Sequence, residues 1–245
     1  MLVLGMLTFL MARLPIQAAQ DTGYLVRSFK SPVSGTTRDY ALYVPARYPQ
    51  SEAALPVIVF LHGRGESGDD VELVRKHGPI KAAMADASFP FLVVAPQCPR
   101  LPFEHVLSAW RDHTADVMAV LAEVRSRYRV DPARIYLTGL SMGGFGAFHL
   151  AADHKELFAA VAPVCGGGDP ALAPAYGKTP FWIFHGERDP VVPVSASRGM
   201  AQALEAAGVP VKLTVYPDLE HDSWTATYEN PELYRWFLSH RRPSK

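Results

Sequence analysis

The sequence predicts an α/β fold built on a mainly parallel central sheet of about eight strands, with helices on both faces. Short apolar runs alternate along the chain with segments of helical periodicity. Several runs are continuous and rich in β-branched residues, as in Pro56–Leu61, which is typical of strands buried on both faces. The chain has 245 residues, of which 49% are hydrophobic and 20% charged. Residues 20–245 are therefore expected to form one domain.

Eight strands are predicted in order along the chain. The first two alternate weakly between apolar and polar residues, so we expect them at an edge of the sheet. The later runs are mostly more apolar and should occupy its centre. The predicted strands are Tyr24–Phe29, Tyr40–Val44, Pro56–Leu61, Phe91–Ala95, Arg134–Thr138, Ala159–Val164, Phe181–Phe184 and Val211–Tyr216.

Helices are predicted between these strands. Thr114–Tyr128 carries one apolar stripe with helical spacing, and Ser195–Ala207 is followed by Gly208, a residue that favours helix ends. Asn230 and Pro231 provide a cap and a first-turn proline for the last helix. Only 14 residues, 166–179, separate the sixth and seventh strands. A segment of that length forms a loop, so no cap domain is expected.

The segment Gly139-Leu-Ser-Met-Gly143 joins a predicted strand directly to a helical pattern. A G-x-S-x-G sequence in this context forces a sharp turn that raises the serine hydroxyl to the carboxyl edge of the sheet. Side chains at Gly139 and Gly143 would collide with the neighbouring strand and helix. A glycine-rich turn without chemistry is the alternative, but the strand before it and the helix after it favour Ser141 as a nucleophile.

An alcohol is a weak nucleophile and needs a base that is oriented by a third group. On this architecture the acid follows the serine in the chain and precedes the histidine. Asp189 is the preferred acid because it follows a predicted strand and Pro190–Pro193 fixes the loop after it. Glu187 is the rival acid, and Asp169 and Asp218 are more distant ones.

His221 is the predicted base. It follows the last predicted strand, and the only later histidine is His240 in the basic tail. The loop His62–Gly65 follows a central strand, and its glycines leave backbone N–H groups free to face a ligand. The backbone N–H groups of Arg64 and Met142 are therefore predicted to form an oxyanion hole.

From about residue 38 to residue 240 the chain resembles the α/β-hydrolase superfamily, and within it the bacterial carboxylesterases, feruloyl esterases, polyhydroxyalkanoate depolymerases and related predicted peptidases. The matching segments are Leu61–Gly68, Ala95–Pro99, Gly139–Gly144, Pro163–Gly168 and His221–Trp224. The resemblance implies a triad of Ser141, Asp189 and His221 and no cofactor. It also implies that Trp110 contacts substrate, and His62 and Trp224 are further candidates for such contact.

The function expected from these residues is hydrolysis of carboxylic esters through an acyl-enzyme. Without a cap the site should be open, which suits bulky or polymer-linked esters of feruloyl or acetyl type. A serine peptidase on the same fold is the alternative, since a triad alone does not distinguish an ester from an amide. A non-catalytic binding protein is disfavoured because all three triad members are intact.

The charge balance excludes several other partners. Lys and Arg total 24, as do Asp and Glu, so no net field favours nucleic acid or an anionic membrane. No CxxC or HExxH motif is present, so no metal site is expected. Cys98 and Cys165 are predicted to be buried and unpaired. The sequence leaves the oligomeric state open.

The first residues differ from the remainder. Leu2–Ala12 is an almost unbroken apolar run, which matches the apolar region of a signal peptide and is too short to span a bilayer. We therefore expect residues 1–19 to be a signal peptide cleaved near Ala19, and the protein to be exported to the periplasm or secreted. If the run is only a tail, the protein is cytoplasmic.

Overall fold

A computed structural model of the chain describes residues 21–243. The predicted signal peptide lies outside the described residues. The described part contains one eight-stranded sheet with the order β1-β2-β4-β3-β5-β6-β7-β8. The strands are β1 (Gly23–Lys30), β2 (Thr37–Val44), β3 (Leu55–Leu61), β4 (Leu92–Pro96), β5 (Val130–Leu140), β6 (Ala160–Val164), β7 (Phe181–Gly186) and β8 (Val211–Tyr216).

The sheet is mainly parallel, as predicted. Strands β3 to β8 run parallel to their neighbours, and β2 is antiparallel to both β1 and β4. All eight predicted strands are present. The main difference is β5, which begins at Val130 rather than Arg134 because Val130 pairs with Leu55 across a register shift.

Helices cover both faces of the sheet. Each β-strand residue points to the face opposite that of its neighbour, so Val57 and Val59 pack in one core while Ile58 and Phe60 pack in the other. Burial on both sides explains the continuous apolar run of β3. The helices are α1 (Gly78–Ala85), α2 (Ala109–Asp112), α3 (Thr114–Arg127), α4 (Met142–Asp153), α5 (Ser195–Ala206), α6 (Trp224–Glu229) and α7 (Pro231–Ser239).

The helix ends follow the predicted chemistry. Gly208, just past α5, has a φ of +69°, a left-handed conformation that glycine adopts without steric cost. Asn230 precedes α7 and its side chain accepts a hydrogen bond from the Glu232 N–H, which satisfies a donor that has no partner inside the helix.

The strand order opens a crevice at the carboxyl edge of the sheet. The chain leaves β3 to form β4 on one side and returns to form β5 on the other. Such a reversal opens a crevice between the two loops at the carboxyl ends of the strands, and ligands bind there in open α/β sheets. The loop after β3 and Ser141 after β5 stand on the two sides of this crevice.

Other features of residues 21–243 agree with the sequence. The connection between β6 and β7 contains only a short 3₁₀ helix, Pro170–Tyr176, and no cap domain. Cys98 and Cys165 are buried and free, as predicted. Within the described range, no helix is both long enough and apolar enough to cross a membrane.

Candidate active site

The turn between β5 and α4 holds Ser141 in a conformation that few side-chain-bearing residues adopt. Its φ is 52° and its ψ is −115°, and such strain costs about 1–3 kcal/mol. A Cβ atom at Gly139 would lie 2.2 Å from the Gly143 carbonyl oxygen, and one at Gly143 would lie 1.9 Å from the Leu61 carbonyl oxygen. Both glycines are therefore required for the turn, as the sequence predicts.

The structure brings Ser141, His221 and Asp189 into one chain of hydrogen bonds. The His221 Nε2 atom lies 2.9 Å from the Ser141 Oγ atom, and its Nδ1 atom lies 2.7 Å from the Asp189 Oδ2 atom. A carboxylate only accepts hydrogen bonds, so Nδ1 carries the ring hydrogen. The lone pair of Nε2 is then free to accept the serine proton.

The Asp189 side chain is buried and held ionised. Its Oδ1 atom accepts hydrogen bonds from the backbone N–H groups of Val191 and Val192, at 2.8 and 2.9 Å. Burial alone would raise the pKa of Asp189, but the hydrogen bonds from His221 and from these N–H groups outweigh it. The pKa therefore lies below its ordinary value.

The rival acids have other partners. Glu187 pairs with Arg198 at 2.6 Å, and the exposed Asp218 pairs with Arg188. Asp169 accepts a hydrogen bond from the Ala171 N–H at the start of a 3₁₀ helix. The geometry therefore favours Asp189 over the other three acids.

The two predicted oxyanion donors lie at the starts of helical segments. Met142 is the first residue of α4, and Arg64 is the first residue of the 3₁₀ helix Arg64–Glu66. The first N–H groups of a helix have no acceptor within it, so both can bind a ligand oxygen. Both residues line the same cavity as Ser141. The α4 dipole further favours negative charge there.

Glu66 shapes the loop that carries one of these donors. Its Oε2 atom accepts a hydrogen bond of 3.1 Å from the Gly63 N–H. Burial raises the pKa of Glu66. A Cβ atom at Gly63 would lie 2.6 Å from the Leu140 side chain, so the loop lies close against the serine turn.

A cavity of about 650 Å³ surrounds the Ser141 hydroxyl. Its wall is mostly apolar. Phe103, Leu107 and Val191 stand at its mouth, exposed to 75%, 58% and 65% respectively. The lining also includes Leu140, Met142, Phe145, Val192 and Trp224.

Comparison with known proteins identifies the family. The sequence model of the dienelactone hydrolase family matches residues 96–232, more than half of the chain. The chain belongs to the dienelactone hydrolase family. The α/β-hydrolase fold that the sequence resembles is thereby confirmed, and so is the resemblance to its esterase members.

Two similar proteins are named as esterases. NocK of Nocardia uniformis subsp. tsuyamanensis is named as an esterase and is 34% identical over 176 residues, which cover 66% of this chain and 48% of NocK. A thermostable esterase of known crystal structure is 34% identical with a TM-score of 0.78, covering 89% of this chain and 63% of that one. This chain therefore spans only about half to two thirds of their lengths.

A third solved structure shows the fold alone. The acylaminoacyl peptidase of Pyrococcus horikoshii superposes with a TM-score of 0.68 at 16% identity, covering 91% of this chain and 43% of that one. At that identity the likeness shows the shared fold and does not distinguish an esterase from a peptidase.

Two of the three residues predicted to contact substrate do not line the cavity around Ser141. His62 is fully buried and Trp110 is 3% exposed. The Trp110 Nε1–H donates to the His62 carbonyl oxygen at 3.0 Å, and the His62 Nε2 atom accepts from the Cys98 N–H at 2.9 Å. The prediction of direct contact is wrong because these rings fill the space beneath the oxyanion loop. Burial lowers the pKa of His62 to about 4, so its ring is neutral.

Trp224, the third candidate, does line the cavity. Its ring stands edge-on to the His221 ring, with the centroids 5.3 Å apart and the planes at 90°. Trp224 can therefore contact a substrate and limit the motion of the His221 ring.

Sequence reasoning missed three kinds of site residue. His185 contacts Asp189 and could have been suspected from its place four residues before the acid. Glu66 could have been suspected from its place just after the oxyanion loop. Phe103 and Leu107 lie in a connection without periodicity, so no pattern marks them. Among residues 21–243, no group of three or more His, Cys, Asp or Glu side chains could hold a metal.

Proposed function

We propose that this protein is a serine hydrolase that cleaves carboxylic esters through an acyl-enzyme. One observation carries the proposal: a single imidazole, that of His221, bridges the Ser141 hydroxyl at 2.9 Å and the Asp189 carboxylate at 2.7 Å. Hydroxyl, base and orienting acid are the parts that nucleophilic acyl transfer needs. The named esterases among its relatives support the same reading.

In the proposed reaction, His221 takes the proton of Ser141 while the serine oxygen attacks the ester carbonyl. The Arg64 and Met142 N–H groups bind the negative oxygen of the tetrahedral intermediate. His221 then gives its proton to the leaving alcohol. Water, deprotonated by the same imidazole, attacks the acyl-enzyme, and Ser141 regains its proton as the acid is released.

The cavity favours a bulky apolar group beside the ester. An acetyl group would leave most of about 650 Å³ unfilled, whereas a ring or branched chain can contact Phe103 and Leu107. Each apolar square ångström removed from water contributes about 25 cal/mol. We therefore propose that esters of feruloyl size are turned over better than acetyl esters.

The site also continues beyond the oxyanion loop. A second cavity of about 220 Å³ shares Arg64 and Met142 with the first, and a third of about 640 Å³ shares Ser67 and Arg100 with the second. Polar side chains line the far end, among them Asp69 and Gln97. Three neighbouring cavities with shared lining residues support a polymer-linked substrate.

The test is a set of esters that differ in acyl group and in size, run beside a peptide amide. Small aryl acetates, feruloyl esters and feruloylated polysaccharide are compared with wild type and with Ser141→Ala. Loss of about six decades in kcat is expected for Ser141→Ala, by analogy with other triad enzymes. Glu187→Gln, which alters an acid two residues from Asp189, is the matched control and should retain activity.

Two results would contradict the proposal. Full ester turnover by Ser141→Ala would show that Ser141 is not the nucleophile. Faster cleavage of the amide than of every ester would favour the peptidase alternative. Activity on small esters only would refute the polymer-linked part and leave the chemistry intact.

We also propose that residues 1–19 direct export. The measurement is the mass of the protein recovered from the periplasm or medium of a bacterial host. A mass that corresponds to a chain beginning after Ala19 supports export, and an uncleaved chain in the cytoplasm contradicts it.

A further inference from the structure

A second histidine contacts the same carboxylate as His221. His185 lies at the end of β7 and is fully buried. Its Nε2 atom is 3.1 Å from the Asp189 Oδ2 atom and 2.9 Å from the Val192 carbonyl oxygen. The proposed reaction does not use this ring, and a buried polar ring needs a reason to be there.

The neighbours of the ring fix where its hydrogen lies. Both atoms that face Nε2, a carboxylate oxygen and a carbonyl oxygen, can only accept hydrogen bonds, so Nε2 must carry a hydrogen. The Nδ1 atom is 2.7 Å from the Ser197 Oγ atom, which also lies 3.0 Å from the Gly166 carbonyl oxygen. Burial lowers the pKa of His185, so the ring is neutral and Nδ1 is an acceptor. The Ser197 hydroxyl, which donates to the Gly166 carbonyl oxygen, shares its hydrogen with this Nδ1 atom.

Four N–H donors thus surround the Asp189 carboxylate. Two backbone N–H groups donate to Oδ1, and His221 donates to Oδ2. The His185 Nε2–H donates to the Val192 carbonyl oxygen at 2.9 Å and has Oδ2 as a second acceptor at 3.1 Å. A carboxylate has about four acceptor positions, and all are used. The carboxylate cannot rotate without breaking several of these bonds at once.

We propose that His185 is a positioning residue for the acid of the triad. Its Nε2–H holds the Asp189 carboxylate ionised and turned towards His221, and Ser197 on α5 fixes the ring that does so. This inference rests on the proposed function of the triad, and it adds a fourth side chain whose effect passes through Asp189.

The effect of losing the His185 donor on His221 follows from the charge on the Asp189 Oδ2 atom. A donor hydrogen bond withdraws negative charge from that oxygen, so its loss leaves more charge to stabilise protonated His221. The protonated form of His221, which cannot accept the serine proton, should then be favoured over the neutral form. Two other titratable groups face the cluster, the buried Cys165 thiol and the exposed Asp222 carboxylate. Burial raises the pKa of Cys165, so the thiol stays neutral, and neither group is altered in the variants below.

The experiment compares His185→Leu, which lacks the donor, with His185→Gln, which can still donate from its side-chain amide. The pH dependence of kcat/KM is measured with one small aryl ester. For His185→Leu the acid limb should move up by about half to one pH unit, because a hydrogen bond to a charged group is lost. At pH 6 kcat/KM should fall by about three- to tenfold, mostly in kcat. His185→Gln should restore the limb.

A limb that does not move in folded His185→Leu would overturn the proposal, since a merely structural residue would lower activity at every pH equally. If that variant does not fold, the test is the ¹⁵N spectrum of histidine-labelled wild type. At pH 8 Nε2 of His185 should be protonated and Nδ1 unprotonated, and the opposite state would refute the inference. Failure of the triad itself would show separately, as full activity in Ser141→Ala.

Discussion

Replacing Ser141 by alanine and by glycine separates the cost of the turn from the chemistry of the hydroxyl. Both variants lose the Oγ atom and its hydrogen bond to His221, so both should be inactive. They differ only in the Cβ atom, which strains a backbone with a φ of 52° and a ψ of −115°. Glycine adopts such a conformation without steric cost.

The expected difference in stability follows from two opposing quantities. The strain of a residue at such angles is about 1–3 kcal/mol. Part of this stabilisation of Ser141→Gly is lost, because glycine gives the unfolded chain more conformational freedom than alanine does. That entropic term favours the unfolded state of Ser141→Gly by about 0.4–1 kcal/mol. Ser141→Gly should therefore be more stable than Ser141→Ala by about 1 kcal/mol. For a domain of this size that difference corresponds to about 2–4 °C in Tm.

The assay is thermal and urea unfolding of the two variants side by side, with wild type as the reference. Equal slopes of the urea transitions would show that the comparison concerns the folded state. If Ser141→Ala unfolds at the same temperature as Ser141→Gly or above it, the turn stores no strain at this residue and the reasoning fails.

Three further predictions concern the turn, the mouth of the cavity and the thiols. Gly143→Ala should abolish folding or lower the free energy of unfolding by several kcal/mol, because its Cβ atom would lie 1.9 Å from the Leu61 carbonyl oxygen; a soluble variant with wild-type Tm would refute this. Phe103→Ala should raise KM about tenfold for bulky aromatic esters and leave KM for acetates unchanged, as measured by steady-state kinetics. Burial raises the pKa of Cys98 to about 12 and also raises that of Cys165, so a thiol reagent at pH 8 should react only after unfolding, and prompt labelling of the folded protein would contradict the burial.

The fold could be predicted because its signals are local and repeated. A continuous apolar run such as Pro56–Leu61 indicates a strand that is buried on both faces of the sheet. The Gly139–Gly143 segment allows few backbone paths between a strand and a helix. The order of serine, acid and histidine then follows from the sheet, because parallel strands bring their carboxyl ends to one edge. The three residues of the proposed triad could therefore be selected from positions at strand ends alone.

The aromatic residues near the site could not be placed in the same way. Whether a ring faces a cavity or fills a core depends on the direction of one side chain, and the sequence does not fix that direction. Trp110 is the second residue of the short helix α2. It packs against Gly146, where an added Cβ atom would lie 2.5 Å from the Trp110 Cβ atom, so the absence of a side chain at Gly146 leaves room for the ring in the core. The Phe103 ring, whose centroid lies 5.2 Å from the Arg64 guanidinium carbon, remains 75% exposed. Two aromatic residues in one connection thus have opposite surroundings.

The same contrast explains why the acid could be chosen but its environment could not. The proline-containing loop after Asp189 points to that residue, and the structure gives the reason, since the loop turns the Val191 and Val192 N–H groups onto Oδ1. These backbone donors hold the Oδ1 atom whichever side chains surround the carboxylate. The His185 bond to the other oxygen depends on a side chain and is therefore the part that a single substitution can remove. Comparing the pH profiles of kcat/KM for wild type and His185→Leu therefore separates the contribution of the second imidazole from that of the backbone donors.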